Sequence, residues 1–240
     1  ITGSTGESGL GDSVGGIAGQ STGDITNSTS EATVTGNYHV GGLVGNLSGT
    51  VSNSVAKGDV IVNIGSEWDG SYSQADSGGF AGSLSGEGEI NQSYSTGDVT
   101  VTGYTTSIGG FIGDIYSSDS QKTVSNSYST GNIVASNSKN VGGFVGETDI
   151  RDTGSILIEN SYSTGSVSGS SNVGGFVGRN DATINSSYWD TESSGLSDSD
   201  GGTGLTTSEM QGSTASSNMT GFDYTNTWNT VSGDYPELQE

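Results

Sequence analysis

The residues of this chain with the most evident chemistry are its carboxylates. Asp198-Ser199-Asp200-Gly201 sets two acids at alternate positions before a glycine, the oxygen-rich pattern by which a loop holds a hard cation. Asp190 and Glu192 lie nearby in sequence. Calcium is therefore the one metal, and the one cofactor, that the sequence suggests, with Asp198 and Asp200 as its ligands. The spacing does not complete an EF-hand loop, and a solvated acidic loop is the alternative. Asp59 and Asp98 recur at one repeat position. A carboxylate pair is what a glycoside hydrolase uses, but each Asp follows a glycine, where turn geometry alone selects Asp. We read them as turn residues.

Bases are scarce. Lys57, Lys122, Lys139, Arg151, Arg179 and His39 are scattered and form no stacked cluster. A lyase acting on uronates needs cationic groups at the developing enolate and a proton acceptor. His39 has no Ser or Cys partner in a triad pattern. The residues point away from an enzyme. Trp68 and Tyr72, in an acidic insertion, could stack on a sugar ring. Glycosylation acceptor patterns occur at Asn27, Asn46, Asn91, Asn185 and Asn218, and a secreted chain could carry glycans there.

Two repeated motifs must position all of these groups. The first is Gly-Gly-apolar-aliphatic-Gly, as in Gly142-Gly143-Phe144-Val145-Gly146, with copies starting at 15, 41, 78, 109, 142 and 174. The second follows it: Val124-Ser125-Asn126-Ser127-Tyr128-Ser129-Thr130-Gly131 recurs as Ile158 to Gly165 and, more loosely, from Ile90 and Val51. A period in this range identifies a solenoid, propeller or array. Three strand signals per repeat, rich in Gly and without a helical apolar stripe, predict a parallel β-helix of about six coils, right-handed as parallel crossovers generally are. Stacking would make a Phe column of Phe80, Phe111, Phe144 and Phe176, with Leu43 and Ile17 at its narrow end. It would also make a Tyr column of Tyr94, Tyr128, Tyr162 and Tyr188, and an amide ladder of Asn53, Gln92, Asn126 and Asn160. Alternation places Val124, Asn126 and Tyr128 on the inner face and the serines outside. Gly42, Gly79, Gly110, Gly143 and Gly175 would serve turns or close backbone packing. Gly65–Ser77, Tyr116–Lys122 and Glu147–Ser155 are predicted loops.

The repeats occupy residues 1–190, and 191–240 reads as a C-terminal capping segment. Thr206-Thr207-Ser208-Glu209 has the capping-box pattern of a helix start. The aromatic tail, from Gly221-Phe222 to Tyr235-Pro236, should fold over the last coil.

Composition limits the partners. Of 240 residues, 43 are Gly and one is Pro, and only 28% are hydrophobic; a thin stacked core accepts that fraction where a globule would not. With 27 acids against five bases the formal net charge is −22, which disfavours nucleic acid and anionic membrane surfaces. Such acidity suits a halophile or a calcium-rich exterior, or simply a well-solvated solenoid. No run approaches a membrane span, so membrane insertion of this chain is not expected. No signal peptide is evident and the first residue is Ile1, as in a processed or excised piece. Without cysteine, the redox compartment is silent.

The glycine motif, the Asn-Ser-Tyr-Ser-Thr-Gly segments, and the ending Tyr188-Trp189-Asp190 … Gly201-Gly202-Thr203-Gly204-Leu205 … Tyr235-Pro236-Glu237-Leu238 together resemble the GLUG-type repeats of bacterial and archaeal surface proteins. The resemblance covers about 14–240. It implies a secreted or surface-attached, adhesin-like β-solenoid and brings no catalytic residues. The expected role is structural or adhesive at the cell exterior, with surface or matrix glycans and proteins as partners. The alternative is a self-assembling filament or sheath subunit whose partners are copies of itself end to end; a carbohydrate-active enzyme ranks third.

Overall fold

A computed structural model describes residues 13–64 and 75–239. Its repeating unit is a coil of five short strands. In the fifth coil these are Lys139–Gly142, Val145–Ile150, Ser155–Glu159, Tyr162–Ser163 and Val167–Ser168. Equivalent strands stack into five sheets, here I to V in chain order, with six, six, six, seven and five strands. Pairing between coils is parallel throughout these sheets and in register apart from a shift between Ser13 and Val14 in the first coil, for example Ile108↔Val141↔Val173 and Val124↔Ile158↔Ile184. The chain is thus an all-β parallel solenoid. Five coils are complete; the sixth ends at Tyr188–Asp190 and adds no strand to sheet V.

The glycine motif folds the chain back between sheets I and II, a hairpin whose arms pair with neighbouring coils and not with each other. Its second glycine has no room for a side chain: a Cβ on Gly110 would sit 2.1 Å from the Gly143 carbonyl oxygen, and on Gly143, 2.1 Å from that of Gly175. Gly42 and Gly79 meet the next coil in the same way, each at 2.2 Å. Gly175 faces the Trp189 ring instead. Close approach, and not left-handed backbone, is what these glycines supply, since none of them has positive φ.

The Phe column forms inside the coil. Phe80, Phe111, Phe144 and Phe176 are fully buried and stack at centroid distances of 4.6, 4.8 and 4.9 Å. They share one apolar cluster with Val44, Leu47, Ile90, Val124 and Ile158. A second cluster, with Val40, Ile108 and Val141 from sheet I and Val60, Val99 and Ile133 from sheet V, fills the other lobe of the coil. Leu43 is buried, whereas Ile17, at the first coil, is 49% exposed.

Three expectations are corrected. The segment read as one strand, Val124 to Ser129, is two strands broken at Asn126, whose φ is +47°. The same corner is occupied by Asn27, Asn53, Gln92, Asn160 and Ser186, all with φ between 44° and 49°. Asn adopts the left-handed region more readily than other residues with a side chain, so the repeated Asn marks a corner. The corner reverses the alternation: Val124 and Ser129 point into the coil, and Tyr128 points out. The amide ladder does not form; Asn126 Nδ2 donates to Asn91 Oδ1 instead, at 3.0 Å. Finally, Tyr116–Lys122 and Glu147–Ser155 are not protruding loops. They lengthen the strands of sheets II and III, which pair out to Ser117↔Ile150 and Gln121↔Ser155. Two neighbouring insertions satisfy each other's backbone groups by continuing the ladder. Of the Gly65–Ser77 insertion, 65–74 lie outside the described residues, with Trp68 and Tyr72 among them.

The C-terminal segment divides its work. Residues 191–205 close the end of the solenoid. Trp189 covers Gly175, Gly202 lies on Phe176, and Leu196 packs against both apolar clusters. Thr203–Leu205 then pairs with Tyr188–Asp190 as the seventh strand of sheet IV. Residues 206–239 do not cap the coil. They run back along the outer flank of sheet IV and bury the tyrosines, so the tail lies beside the last coils and not over them. The expected helix start is present: Glu209 Oε2 accepts from the Thr206 backbone N–H and hydroxyl, both at 2.8 Å, at the head of Thr207–Met210.

Candidate functional site

The polar residues of the second motif join one coil to the next. The first Ser of each Asn-Ser-Tyr-Ser copy accepts a backbone N–H from the preceding coil. The bonds run Ser28→Ser54, Ser54→Ser93, Ser93→Ser127, Ser127→Ser161 and Ser161→Ser187, at 3.2 to 3.3 Å. Each of these acceptor hydroxyls donates to the carbonyl two residues before it in its own coil, such as Ser127 Oγ to Ser125 O at 2.8 Å. The second Ser donates to a glycine carbonyl of the following hairpin: Ser95 to Gly110, Ser129 to Gly143 and Ser163 to Gly175, at 2.7 to 2.8 Å. The two motifs therefore recur together because each holds the other. Buried hydroxyls need such partners. Asp59 and Asp98 belong to a similar ladder. Asp59 Oδ1 accepts the Asp98 N–H at 3.0 Å, and Asp98 Oδ1 accepts the Asn132 N–H at 2.7 Å.

The tyrosine column stands on the outside. Tyr94, Tyr128 and Tyr162 stack at 4.5 and 5.0 Å, with planes 4° apart. With Tyr188 they form a third cluster with Met210, Met219, Phe222 and Trp228 of the tail. Tyr162 Oη donates to Pro236 O at 2.7 Å, and Tyr188 Oη to Thr220 O at 2.8 Å. Burial pushes the Tyr128 and Tyr162 phenols well above their ordinary range. Asp190 ties cap and tail together. It is fully buried, and it accepts from Glu192 N, Ser193 N, the Thr207 hydroxyl and the Tyr235 hydroxyl, at 2.8, 3.0, 2.6 and 2.5 Å. Burial opposes its charge, but the hydrogen bonds from Thr207, Tyr235, Ser193 and Glu192 outweigh it and hold the carboxyl below the usual range.

Asp198 and Asp200 lie on the end cap. Between them Ser199 Oγ accepts the backbone N–H groups of Phe176 and Val177, both at 3.0 Å, and closes the last glycine hairpin. Asp200 Oδ2 accepts the Asn180 N–H at 2.8 Å, and Asp198 Oδ1 the Ser199 N–H at 2.9 Å. With Asn172, Val173, Gly178 and Arg179 they line a shallow polar cleft. Among the described residues no three acidic or histidine side chains converge as a metal-holding group. Of the glycosylation candidates, Asn27 and Asn185 are exposed. Asn46 and Asn91 accept side-chain hydrogen bonds from a neighbouring coil, and Asn218 Nδ2 donates to Glu209 O.

The group that sequence reasoning missed lies between the two arms of the glycine hairpin. Residues two before each Gly-Gly pair, His39, Asp76, Ser107, Asn140 and Asn172, form a row on the sheet I side. Residues just after the last glycine, Asn46, Ser83, Asp114, Glu147 and Arg179, form a row on sheet II. The rows meet. Ser107 Oγ and Asn140 Nδ2 donate to Glu147 Oε2 at 2.8 and 2.6 Å, and Asn172 Nδ2 donates to Asn140 Oδ1 at 2.7 Å. Arg179 pairs with Glu147 and Asp181, and His39 Nδ1 lies 3.5 Å from Asp76 Oδ2. Burial, more than the Glu147 charge, pushes the Asp76 carboxyl up to about 7, against a lowering hydrogen bond from Ser107. Asp114 rises well above the carboxylate range, through burial first and then the charges of Asp76, Glu147 and Asp149, with Arg179 opposing. The fixed offset from the glycines was the available signal, but the residue type changes from coil to coil.

Fold and repeat together define a parallel β-solenoid whose coils hang on a glycine hairpin. The GLUG motif matches residues 11–35 and 36–61, so the first two coils carry GLUG repeats. The chain is 38% identical over 184 residues to Halomucin of Haloquadratum walsbyi, an alignment covering 75% of this chain and 2% of that protein. It is 36% identical over 147 residues to a protein named as a candidate Gly-rich membrane protein of Evansella cellulosilytica, covering 61% of this chain and 13% of the relative. One is named as a mucin and the other as a membrane protein, and the chain spans only a small part of either. A crystal structure described as a candidate immunoglobulin A1 protease from Bacteroides ovatus superposes with a TM-score of 0.62 at 19% identity, over 94% of this chain and 74% of that one; at that identity the likeness concerns the fold alone. Among the described residues no helix is long and apolar enough to cross a membrane.

Proposed function

We propose that the chain is a non-enzymatic module of an extracellular surface protein, a stalk or adhesin segment. The observation that carries this reading is the use of the repeat's polar groups: the recurrent serines and the Asp59 and Asp98 carboxylates are engaged in joining coils. The relatives, each far longer than this chain, support a modular role. The partners expected are surface or matrix glycans and proteins. End-to-end assembly into a filament is the second reading. The closed C-terminal end argues against it, because Trp189, Leu196 and Gly202 cover the core surface on which another coil would stack.

Negative-stain electron microscopy at low and molar salt, with and without calcium, separates the two. Dispersed short rods are expected under every condition, and regular filaments would overturn the module in favour of the subunit. A polysaccharide-cleavage screen tests the non-enzymatic reading. Turnover abolished by Asp76→Asn or Asp114→Asn would overturn it.

A further inference from the structure

The crevice between the hairpin arms gathers charge from both of them. Asp76, Asp114 and Glu147 belong to three successive coils. Asp114 and Glu147 are in-register partners on adjacent strands, which puts their backbones about 4.8 Å apart. Asp76 is buried and faces Ser107, which also bonds Glu147. The charged and titratable groups around them come from both arms: His39 and Asp76 on the sheet I side, and Asp114, Glu147, Asp149 and Arg179 on sheet II, with Asp181 beyond. Arg151 is occupied by Asp149, through two bonds of 3.0 and 3.1 Å, and Arg179 by Glu147 and Asp181. With every acid ionised, four carboxylates would share the crevice with two arginines already paired. Like charges held this close favour a shared proton.

We propose that this crevice is a proton-operated latch, in which protonated Asp76 and Asp114 hold the third, fourth and fifth coils in register and their ionisation loosens them.

The direction follows from linkage. Asp76 and Asp114 have folded-state values raised above the ordinary one. The stability they contribute is fully present below the unfolded carboxylate pKa and is lost as pH rises through the folded value, about 7 for Asp76. His39 works the other way: burial lowers its value, so its contribution is lost as pH falls through the ordinary histidine range. Stability should therefore decline from pH 6.5 toward 8.5, with His39, whose ordinary value lies at the lower end of that interval, opposing the decline by at most about twofold. The chain suits this test because it has one histidine and no cysteine, so little else titrates in that interval.

The experiment is urea unfolding of the chain at pH 6.5 and 8.5, for the native sequence and for Asp76→Asn/Asp114→Asn, whose amides imitate the protonated acids. The native unfolding constant is expected to rise roughly tenfold at the higher pH, and that of the double variant not to rise but to stay within about twofold. An equal constant at both pH values, or a variant that keeps the native slope, would overturn the latch. Infrared spectroscopy of the native chain at pH 6.5 gives a readout that does not depend on the variant folding. A protonated-carboxyl carbonyl band supports the proposal, and its absence refutes it.

Discussion

Two aromatic columns run along this solenoid, and they are buried by different means. The phenylalanines lie inside the coil, covered by the arms of their own repeat. The tyrosines stand on the outer flank, at nearly the same stacking distances, and are covered by a segment outside the repeat. In-register stacking thus supplies an aromatic column wherever a repeat places an aromatic residue, but it does not by itself bury one. Inside, burial follows from the glycines. Outside, it requires 206–239, and where that segment ends the column fades: Tyr94 and Val55 are only half-buried and Thr29 is exposed.

The largest effect should come from breaking the inner column. Phe144→Ala leaves a cavity between Phe111 and Phe176 and is expected to cost about 3–5 kcal/mol, read as a lower urea midpoint for the whole solenoid. A chain ending at Leu205 should show the opposite pattern. Its coils keep their ladders and their β circular dichroism, while Tyr128 and Tyr162 become accessible to iodide quenching or nitration; loss of β signal in that chain would mean that the flank segment holds the coils as well. Asn126→Ala tests the corner that separates the columns. It forces a residue with a side chain but no local hydrogen bond into left-handed backbone and should cost roughly 1–2 kcal/mol, whereas Asn126→Gly should come closer to the native midpoint. Tyr162→Phe is the mildest, removing only the bond to Pro236, with an expected loss of about 1 kcal/mol. Hydrogen exchange should place that loss in the tail and not in the coils.

Much of this architecture is legible from spacing. Gly-Gly-Phe-Val-Gly and its variants, recurring at steps of 26 to 37 residues, fix a hairpin, its stacking and the inner column. The flank was harder to read, because Val124-Ser125-Asn126-Ser127-Tyr128 looks like unbroken alternation. A corner residue in left-handed backbone shifts the phase without changing the apparent pattern, so Tyr128 was placed inside and the serines outside. The carboxylate crevice was missed for a different reason. Its members, Asp76, Asp114 and Glu147, occupy repeat positions that hold His39, Asn46, Ser83 or Arg179 in other coils, so no single residue type recurs. The end-cap stretch Asp198-Ser199-Asp200 drew attention to its acids, but the structural bonds to the last hairpin come chiefly from the serine.

The serine ladder has a consequence for how such a chain can change its length. The same bond joins serines 26, 39, 34, 34 and 26 residues apart. Each coil offers one face of hydroxyl acceptors and one of backbone donors, whatever the length of the excursion between them. A whole coil could therefore be duplicated, lost or exchanged, and every junction would still find the partner type it had before. Reach along the axis can vary in coil-sized steps, with the end cap unchanged.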